Sequence, residues 1–316
     1  MRFHALTLTR DDQDIILPCL MHALTWADAV YVYDTGSSDQ TWDIVNDLAA
    51  KDSRIIPWKK EFPAVMLKSG LRGYMFDHFR SRAEPGDWFA QVDTDEFFHI
   101  APPNFVREHL HPGDSGAYNF TIEFRIMKSE IVRWESGDPS PFDRTQPIEN
   151  LRRHFNMLEH AEPRLFRYRK SMQWSPDQPY PWNMAYISRN RIPVRHYPHR
   201  DPIQLQKRHR LRLRLAPLAD PNWAHWRHTD WHEMIANDDD PELHFWKPGT
   251  ELPASPPLVV RSKMKRAMQW TAHRFLLPLL DRKRTPFPQD FRPIVIPREM
   301  NDAAILDMRE LDGQAK

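Results

Sequence analysis

Trp88-Phe89-Ala90-Gln91-Val92-Asp93-Thr94-Asp95-Glu96-Phe97-Phe98 is the most informative segment of the chain. An apolar run of strand type ends in three carboxylates within four residues, and a second apolar pair follows. Pro85-Gly86-Asp87 ahead of it signals a turn, so Trp88 to Val92 reads as a short buried strand. Acids at the carboxyl end of such a strand stand where open α/β sheets bind their ligands. Closely spaced acids repel one another, and a hard divalent cation is one reason for a chain to hold them together. A polar turn that merely ends a strand is the alternative, and for an isolated D-x-D the commoner one, so the surroundings must decide.

Upstream, Phe3 to Leu8 reads as a strand that stops at the polar break Thr9-Arg10-Asp11-Asp12. Ile16, Leu17, Leu20, Met21 and Leu24 then recur at helical spacing, with Asp14 as the expected cap and Pro18 in the first turn. Ala29 to Tyr33 is a second strand, ended by Asp34-Thr35-Gly36-Ser37-Ser38-Asp39-Gln40-Thr41. A helix with Trp42, Val45, Leu48 and Ala49 on one face follows, its expected cap Ser38 or Asp39. Arg54 to Trp58 is a third strand, and Leu71 to Ala83 a helix leading back to the opening stretch. This alternation predicts a parallel α/β sheet. Downstream the texture changes: Tyr118, Phe120, Ile122, Phe124 and Ile126 alternate with Asn119, Thr121, Glu123 and Arg125, an antiparallel type of pattern. Leu165 to Tyr168 and Ile192 to His196 read as further short strands, with a Pro- and charge-rich excursion over 135–150 and an ordered loop over 171–190.

The 316 residues suffice for one large or two modest domains, and 41% hydrophobic and 28% charged residues are those of a globular protein. A net charge of +1 gives no global argument for nucleic acid, and no nucleic-acid motif is present. The single cysteine, Cys19, rules out an intrachain disulfide, fits a reducing compartment and reads as a small core residue. No apolar run approaches the roughly 18 residues of a membrane span. Arg2, His4, Arg10 and Asp11 interrupt any secretory signal, so a cytoplasmic location is expected, with peripheral contact to the inner membrane surface as its variant.

Asp34 ends a strand, Gly36 permits a sharp turn beside a ligand, and hydroxyls with Asp39 open a helix. A carboxylate so placed can accept from a ribose hydroxyl or a base N–H. Neither G-x-G-x-x-G nor G-x-x-x-x-G-K-[ST] occurs, which argues against dinucleotide and P-loop sites. Together, Asp34, Gly36, Ser37, Asp39 and Thr41, followed about sixty residues on by Asp93 and Asp95, resemble the D-x-G-S-x-D-x-T and D-x-D motifs of family 2 glycosyltransferases. Glu96 and Phe97 extend the likeness to a D-x-D-E-F subgroup. That subgroup's Asn-Glu pair after the first strand is here Arg10-Asp11, and its late histidine-aromatic element is matched by His196-Tyr197-Pro198-His199-Arg200. The resemblance covers about residues 1–215.

The resemblance implies a GT-A nucleotide-diphospho-sugar transferase fold, with a mainly parallel central sheet flanked by helices over 1–215. Residues 216–316 are expected to form a helical, Pro- and Trp-rich, basic extension. It implies inverting transfer from a nucleotide diphosphate donor, a UDP- or GDP-sugar; the basic tail alone hints at the acceptor, a glycan or lipid-linked one such as a surface polysaccharide or lipopolysaccharide. Asp34 would touch the base, with Thr9, Arg10, Gly36, Ser37, Asp39 and Arg72 around the nucleotide sugar. Asp93 would lie by the ribose and the metal, Asp95 would ligate Mn²⁺ or Mg²⁺, and His196 would complete the metal or diphosphate site. Independent of the likeness, a departing diphosphate gains negative charge that a hard cation or basic side chains can neutralise. For Arg72 a solvated helix end is the alternative reading. Inversion needs a base; Glu123, on the polar face of its strand, is the candidate, Glu96 reads alternatively as a structural anchor, and the assignment stays open.

Lys207 to Arg214 is basic and could steer phosphates, face an anionic acceptor or form a solvated helix face. Residues 261–280 combine a stripe of Met264, Ala267, Met268, Thr271, Phe275 and Leu279 with Lys263, Lys265, Arg266 and Arg274. That is the pattern of a helix on an anionic membrane and equally of one packed on the domain, packing being the first expectation. Two other functions remain in view: a nucleotidyltransferase or metal-dependent phosphohydrolase, and a non-catalytic protein that binds nucleotide sugars or glycans. The absence of glycine and lysine between Thr9 and Asp14 counts against the former, and the intact Asp34, Asp93 and Asp95 against the latter.

Overall fold

A computed structural model describes residues 1–61, 70–174, 178–182, 184–215, 230–258, 262–276 and 279. Of the expected extension, 216–229, 259–261, 277–278 and 280–316 lie outside the described residues. The elements run β1 (Phe3–Thr9), α1 (Ile16–Leu24), β2 (Ala29–Asp34), α2 (Thr41–Ala49), β3 (Ile55–Lys60), α3 (Gly70–Phe79) and β4 (Trp88–Asp93). They continue through β5 (Glu96–Phe98), α4 (Pro102–His109), β6 (Gly116–Phe124), α5 (Lys128–Glu135), α6 (Ile148–Leu151), β7 (His154–Leu158) and β8 (Pro163–Arg167). Last come β9 (Ile192–His196), α7 (Pro202–Leu215), β10 (His244–Phe245) and α8 (Lys263–Phe275).

Local details differ from the sequence pattern. Asp14 does not cap α1, which starts after Ile15 without a side-chain cap. At α2 the cap position is Gln40, also without a side-chain bond, but Asp39 Oδ1 accepts from the Thr41 amide at 2.9 Å. The expected helix 71–83 tightens into a 3₁₀ turn at Arg80–Arg82.

The described residues divide into two compact units. The first takes those within Met1–Thr121, Glu159–Val194 and from Ala254 onward; the second takes those within Ile122–Leu158 and Arg195–Pro253. In the first, the strand order is β6-β8-β4-β1-β2-β3. β4, β1, β2 and β3 are parallel, as the alternation with helices requires, and β8 runs antiparallel to both β4 and β6. The fold is thus α/β, built on a central parallel sheet with helices against it. Alternation along the strands puts Leu6, Leu8, Tyr31, Tyr33 and Phe89 on one face, where Leu71, Met75, Phe76 and Phe79 of α3 complete the core with Phe166 and Trp174. Ala5, Val30 and Val32 occupy the other positions, and Ile16, Cys19, Leu20, Val45 and Leu48 of α1 and α2 are buried too. Burial on both faces is why these strands read as continuous apolar runs.

The second unit pairs β7 antiparallel with β10, His244 opposite Phe155. Its core gathers Ile126, Ile131, Phe142, Leu205 and Met234. Tyr197 stacks on Phe124 with ring centroids 4.7 Å apart. The buried Arg152 reaches Glu130 Oε2 at 2.6 Å and lies over the Phe142 ring.

Candidate functional site

Parallel register brings the two acidic turns together. Thr9 stands opposite Asp34 across β1 and β2, and Leu8 opposite Asp93 across β1 and β4. Asp34 and Asp93 therefore end strands on either side of β1 at nearly the same level, on the carboxyl edge where such sheets bind ligands.

The Asp34 turn is built by its own side chain. Asp34 Oδ1 accepts from the Gly36 amide at 2.8 Å and the Ser37 amide at 2.6 Å. Gly36 takes φ +103°, a left-handed conformation that only glycine adopts cheaply. Asp34 is fully buried, and its Oδ2 has no hydrogen-bond partner among the described residues. Burial raises the pKa of this carboxyl against the pull of the Ser37 and Gly36 bonds. A buried carboxylate oxygen left unmatched costs stability unless a ligand donor meets it.

Residues after β1 lock this turn. The Asp11 amide donates to Ser37 Oγ at 2.9 Å, and Ser38 donates from its amide to Asp11 Oδ1 at 2.7 Å. Asp11 sits at φ 50°, a left-handed conformation uncommon for residues with a side chain but tolerated better by aspartate than by most. Arg10 is half-buried, its Nε 3.7 Å from Asp11 Oδ2. Asp39 Oδ2 accepts from the Gln13 amide at 3.2 Å. Asp12, which the sequence presents only as part of a polar break, joins the two turns. Its Oδ2 accepts from Thr9 Oγ1 at 3.2 Å and from Thr94 Oγ1 at 2.7 Å.

The second turn is held by arginines. Asp93, 27% exposed, places Oδ1 on Arg72 Nη2 and Oδ2 3.0 Å from Arg164 Nη1. Burial would raise its pKa, but the Arg72 and Arg164 charges prevail and lower it. Arg72 is itself buried, so it is no solvated helix end. Arg164 also reaches Glu96 Oε1 at 2.5 Å and Glu162 Oε2 at 3.5 Å. Glu96 is thereby anchored to β8, in keeping with a structural role. Asp95 is buried beside them. Cys19 donates its thiol toward the Asp93 carbonyl at 3.8 Å. Burial, and then the charges of Asp12, Asp95, Asp93 and Glu96, push the Cys19 thiol up, which keeps it protonated and unreactive.

Glu123 and His196 lie in the second unit and pair there. His196 Nδ1 is 3.3 Å from Glu123 Oε2, and Arg125 donates to Glu123 Oε1 at 2.6 Å. Burial is outweighed by the His196 hydrogen bond and charge and then by Arg125, so the Glu123 pKa falls to about 2. Nearby His199 is buried and pushed well below the ordinary imidazole value, mainly by desolvation. In the basic stretch, α7 buries His209 and engages Arg208 Nη1 with the Pro198 carbonyl at 2.8 Å, so this face is partly structural.

Among the described residues, no three His, Cys, Asp or Glu side chains gather as a metal site. Asp93 has both oxygens on guanidinium groups, and His196 is paired with Glu123. Asp93 and Asp95 thus form no three-ligand cation site by themselves among the described residues. Arg164 and Asp12 escaped the sequence reading. The contacts that bring each to the second turn, Asp12 with Thr94 and Arg164 with Asp93 and Glu96, span roughly seventy to eighty residues, and neither residue falls in a motif.

No family model matches the sequence, and neither does any curated protein. Two solved structures are partly similar. One is the mannosyltransferase PcManGT from Pyrobaculum calidifontis in complex with GDP-Man and Mn²⁺, at 17% identity and TM-score 0.30, covering 37% of this chain and 34% of that one. The other is the inositol-1-phosphate CTP transferase from T. maritima, at 16% identity and TM-score 0.26, covering 41% of this chain and 57% of that one. The chain thus spans about a third of the first and just over half of the second.

Proposed function

We propose that this protein is a glycosyltransferase of the GT-A type that takes a nucleoside-diphosphate sugar as its donor. One observation carries the reading. Asp34, with Oδ2 buried and unmatched inside a turn of backbone amides, stands level with the Asp93–Glu96 turn across β1. The unmatched oxygen suits a base or ribose donor. The second turn pairs acids with the buried cations of Arg72 and Arg164, which suits the diphosphate side of the same molecule. Thr9, Arg10, Gly36, Ser37 and Asp39 shape the nucleotide pocket on this reading.

The acceptor hydroxyl attacks the anomeric carbon, and the sugar–oxygen bond to the diphosphate breaks with both electrons going to that leaving group. Positive side chains at the carboxyl edge stabilise the charge that develops. The attacking hydroxyl loses its proton to a base. Glu123, the expected base, is a weak acceptor, its pKa held at about 2 by His196 and Arg125. The machinery lies within 1–215, with 216–316 as an extension.

Calorimetry with UDP, GDP, their sugars and nucleoside triphosphates, each with and without Mn²⁺ or Mg²⁺, tests the reading. Binding of a nucleotide sugar that Asp34→Ala abolishes is the expected result. Binding of triphosphates with no affinity for any nucleotide sugar would move the chain to the nucleotidyltransferases.

A further inference from the structure

Helix α8 presents its large apolar side chains to water. Met264 is 73% exposed, Met268 65% and Phe275 63%, and Leu276 and Leu279 beyond the helix are each 55% exposed. At 3.6 residues per turn, positions 264, 268, 271 and 275 share one face. The helix meets the domain through a different face, at Trp270, which is itself 45% exposed. Trp270 lies so close to Gly113 that a Cβ there would meet its Cδ1 at 2.5 Å. Position 270 lies well over a right angle around the helix from the Met264, Met268 and Phe275 stripe. The stripe is therefore turned away from the contact that holds the helix, and the expectation that it packs on the domain is not met among the described residues.

The charge on this element has one sign. Lys263, Lys265, Arg266 and Arg274 fall within Lys263–Phe275, which contains no aspartate or glutamate. Thirteen residues make a helix about 20 Å long, too short to cross a bilayer, and no helix among the described residues is long and apolar enough to do so. An exposed stripe of Met and Phe, cations and no anions together match one surface: the headgroup boundary of an anionic bilayer.

We infer that α8 docks this protein in the plane of an anionic phospholipid surface, with Met264, Met268, Phe275 and Leu279 at the acyl boundary and the basic residues among the headgroups. The occupant is set by charge complementarity and is independent of the reaction the carboxyl edge performs. Methionine suits the task because its flexible thioether adapts to a disordered apolar phase.

Flotation of the full chain tests this, using vesicles of phosphatidylcholine alone and of phosphatidylcholine mixed with phosphatidylglycerol. The expected result is flotation with the anionic vesicles only, weakened by salt. Met268→Asp/Phe275→Asp is expected to cut the partition coefficient about tenfold or more, with the melting temperature unchanged. Lys263→Gln/Lys265→Gln/Arg266→Gln, whose charge loss leaves the apolar packing intact, is expected to do the same. A wild-type chain that stays with the unbound fraction overturns the inference, as does the basic variant floating like wild type at low salt. Two further results overturn it by naming another occupant. One is a wild-type dimer in sedimentation equilibrium that Met268→Asp/Phe275→Asp dissolves. The other is a marked fall in melting temperature of that variant with vesicle binding intact, which would place the stripe against the chain itself.

Discussion

Arg164 Nη1 stands 3.0 Å from Asp93 Oδ2, a bond that ties the antiparallel strand β8 to the last residue of the parallel strand β4. With Arg72 on the other oxygen, the first acid of the D-x-D turn is fixed from two sides. Removing Arg164 takes one cation from Asp93 and from the buried Glu96 together, which costs more than the pairs contribute over an apolar substitute.

Arg164→Gln is therefore expected to lower the free energy of unfolding by about 3 kcal/mol and to weaken nucleotide-sugar binding. Arg164→Lys retains the charge without the fork and is expected to fall between. Urea denaturation and calorimetry on both variants measure this. A Gln variant as stable as wild type would show that the clamp contributes little.

At Asp34 stability and ligand binding are expected to part. Burial raises the pKa of this carboxyl, so its ionisation costs the folded state. The stability it permits is fully present below the ordinary carboxylate range and declines as pH rises through the raised value. Asp34→Asn removes that decline, so the variant gains on wild type between acid and neutral pH while its nucleotide affinity drops by about tenfold or more. Thermal melts across pH, paired with calorimetry, check both halves; unchanged affinity would remove Asp34 from the nucleotide site.

Glu123 has the opposite sign. Its pKa is held at about 2 against an ordinary 4.5, so its contribution is present above the ordinary value and lost as pH falls toward 2. The difference amounts to about 3 kcal/mol at most. Glu123→Gln is expected to be less stable than wild type at pH 6 and to lose less of its stability on acidification. Parallel acid titrations of the two proteins would rule this out.

Cys19 is expected to resist alkylation in the native protein at pH 8 and to react at once in denaturant, because burial and four neighbouring acids keep it a thiol. Labelling kinetics followed by mass spectrometry give the answer. Fast native labelling would mean that the acidic turns open readily.

The alternation of strand and helix over the first ninety residues was legible because three of its four strands are buried on both faces. Phe3 to Thr9, Ala29 to Asp34 and Trp88 to Asp93 carry that burial in their composition. Both acidic turns stood out only as a pair: either alone reads as a polar turn ending a strand, and their recurrence about sixty residues apart in an α/β alternation set them apart. Helix caps were misplaced at Asp14 because hydroxyl and carboxylate side chains near a helix start have several competing bonds, and only the packed turn selects among them.

Residues that act across strands were out of reach. Asp12 joins Thr9 to Thr94, and Arg164 joins Asp93 to Glu96, only because β8, β4, β1 and β2 lie side by side in that order. Strand order is a property of the whole chain, and no local pattern encodes it. The same holds for α8. Its sequence determined an amphipathic, basic helix, but an apolar stripe reads alike whether it meets a core or water. Tertiary structure decided that Trp270 is seated at Gly113 while Met264, Met268 and Phe275 are exposed, because periodicity specifies which side chains share a face and only packing specifies where that face points.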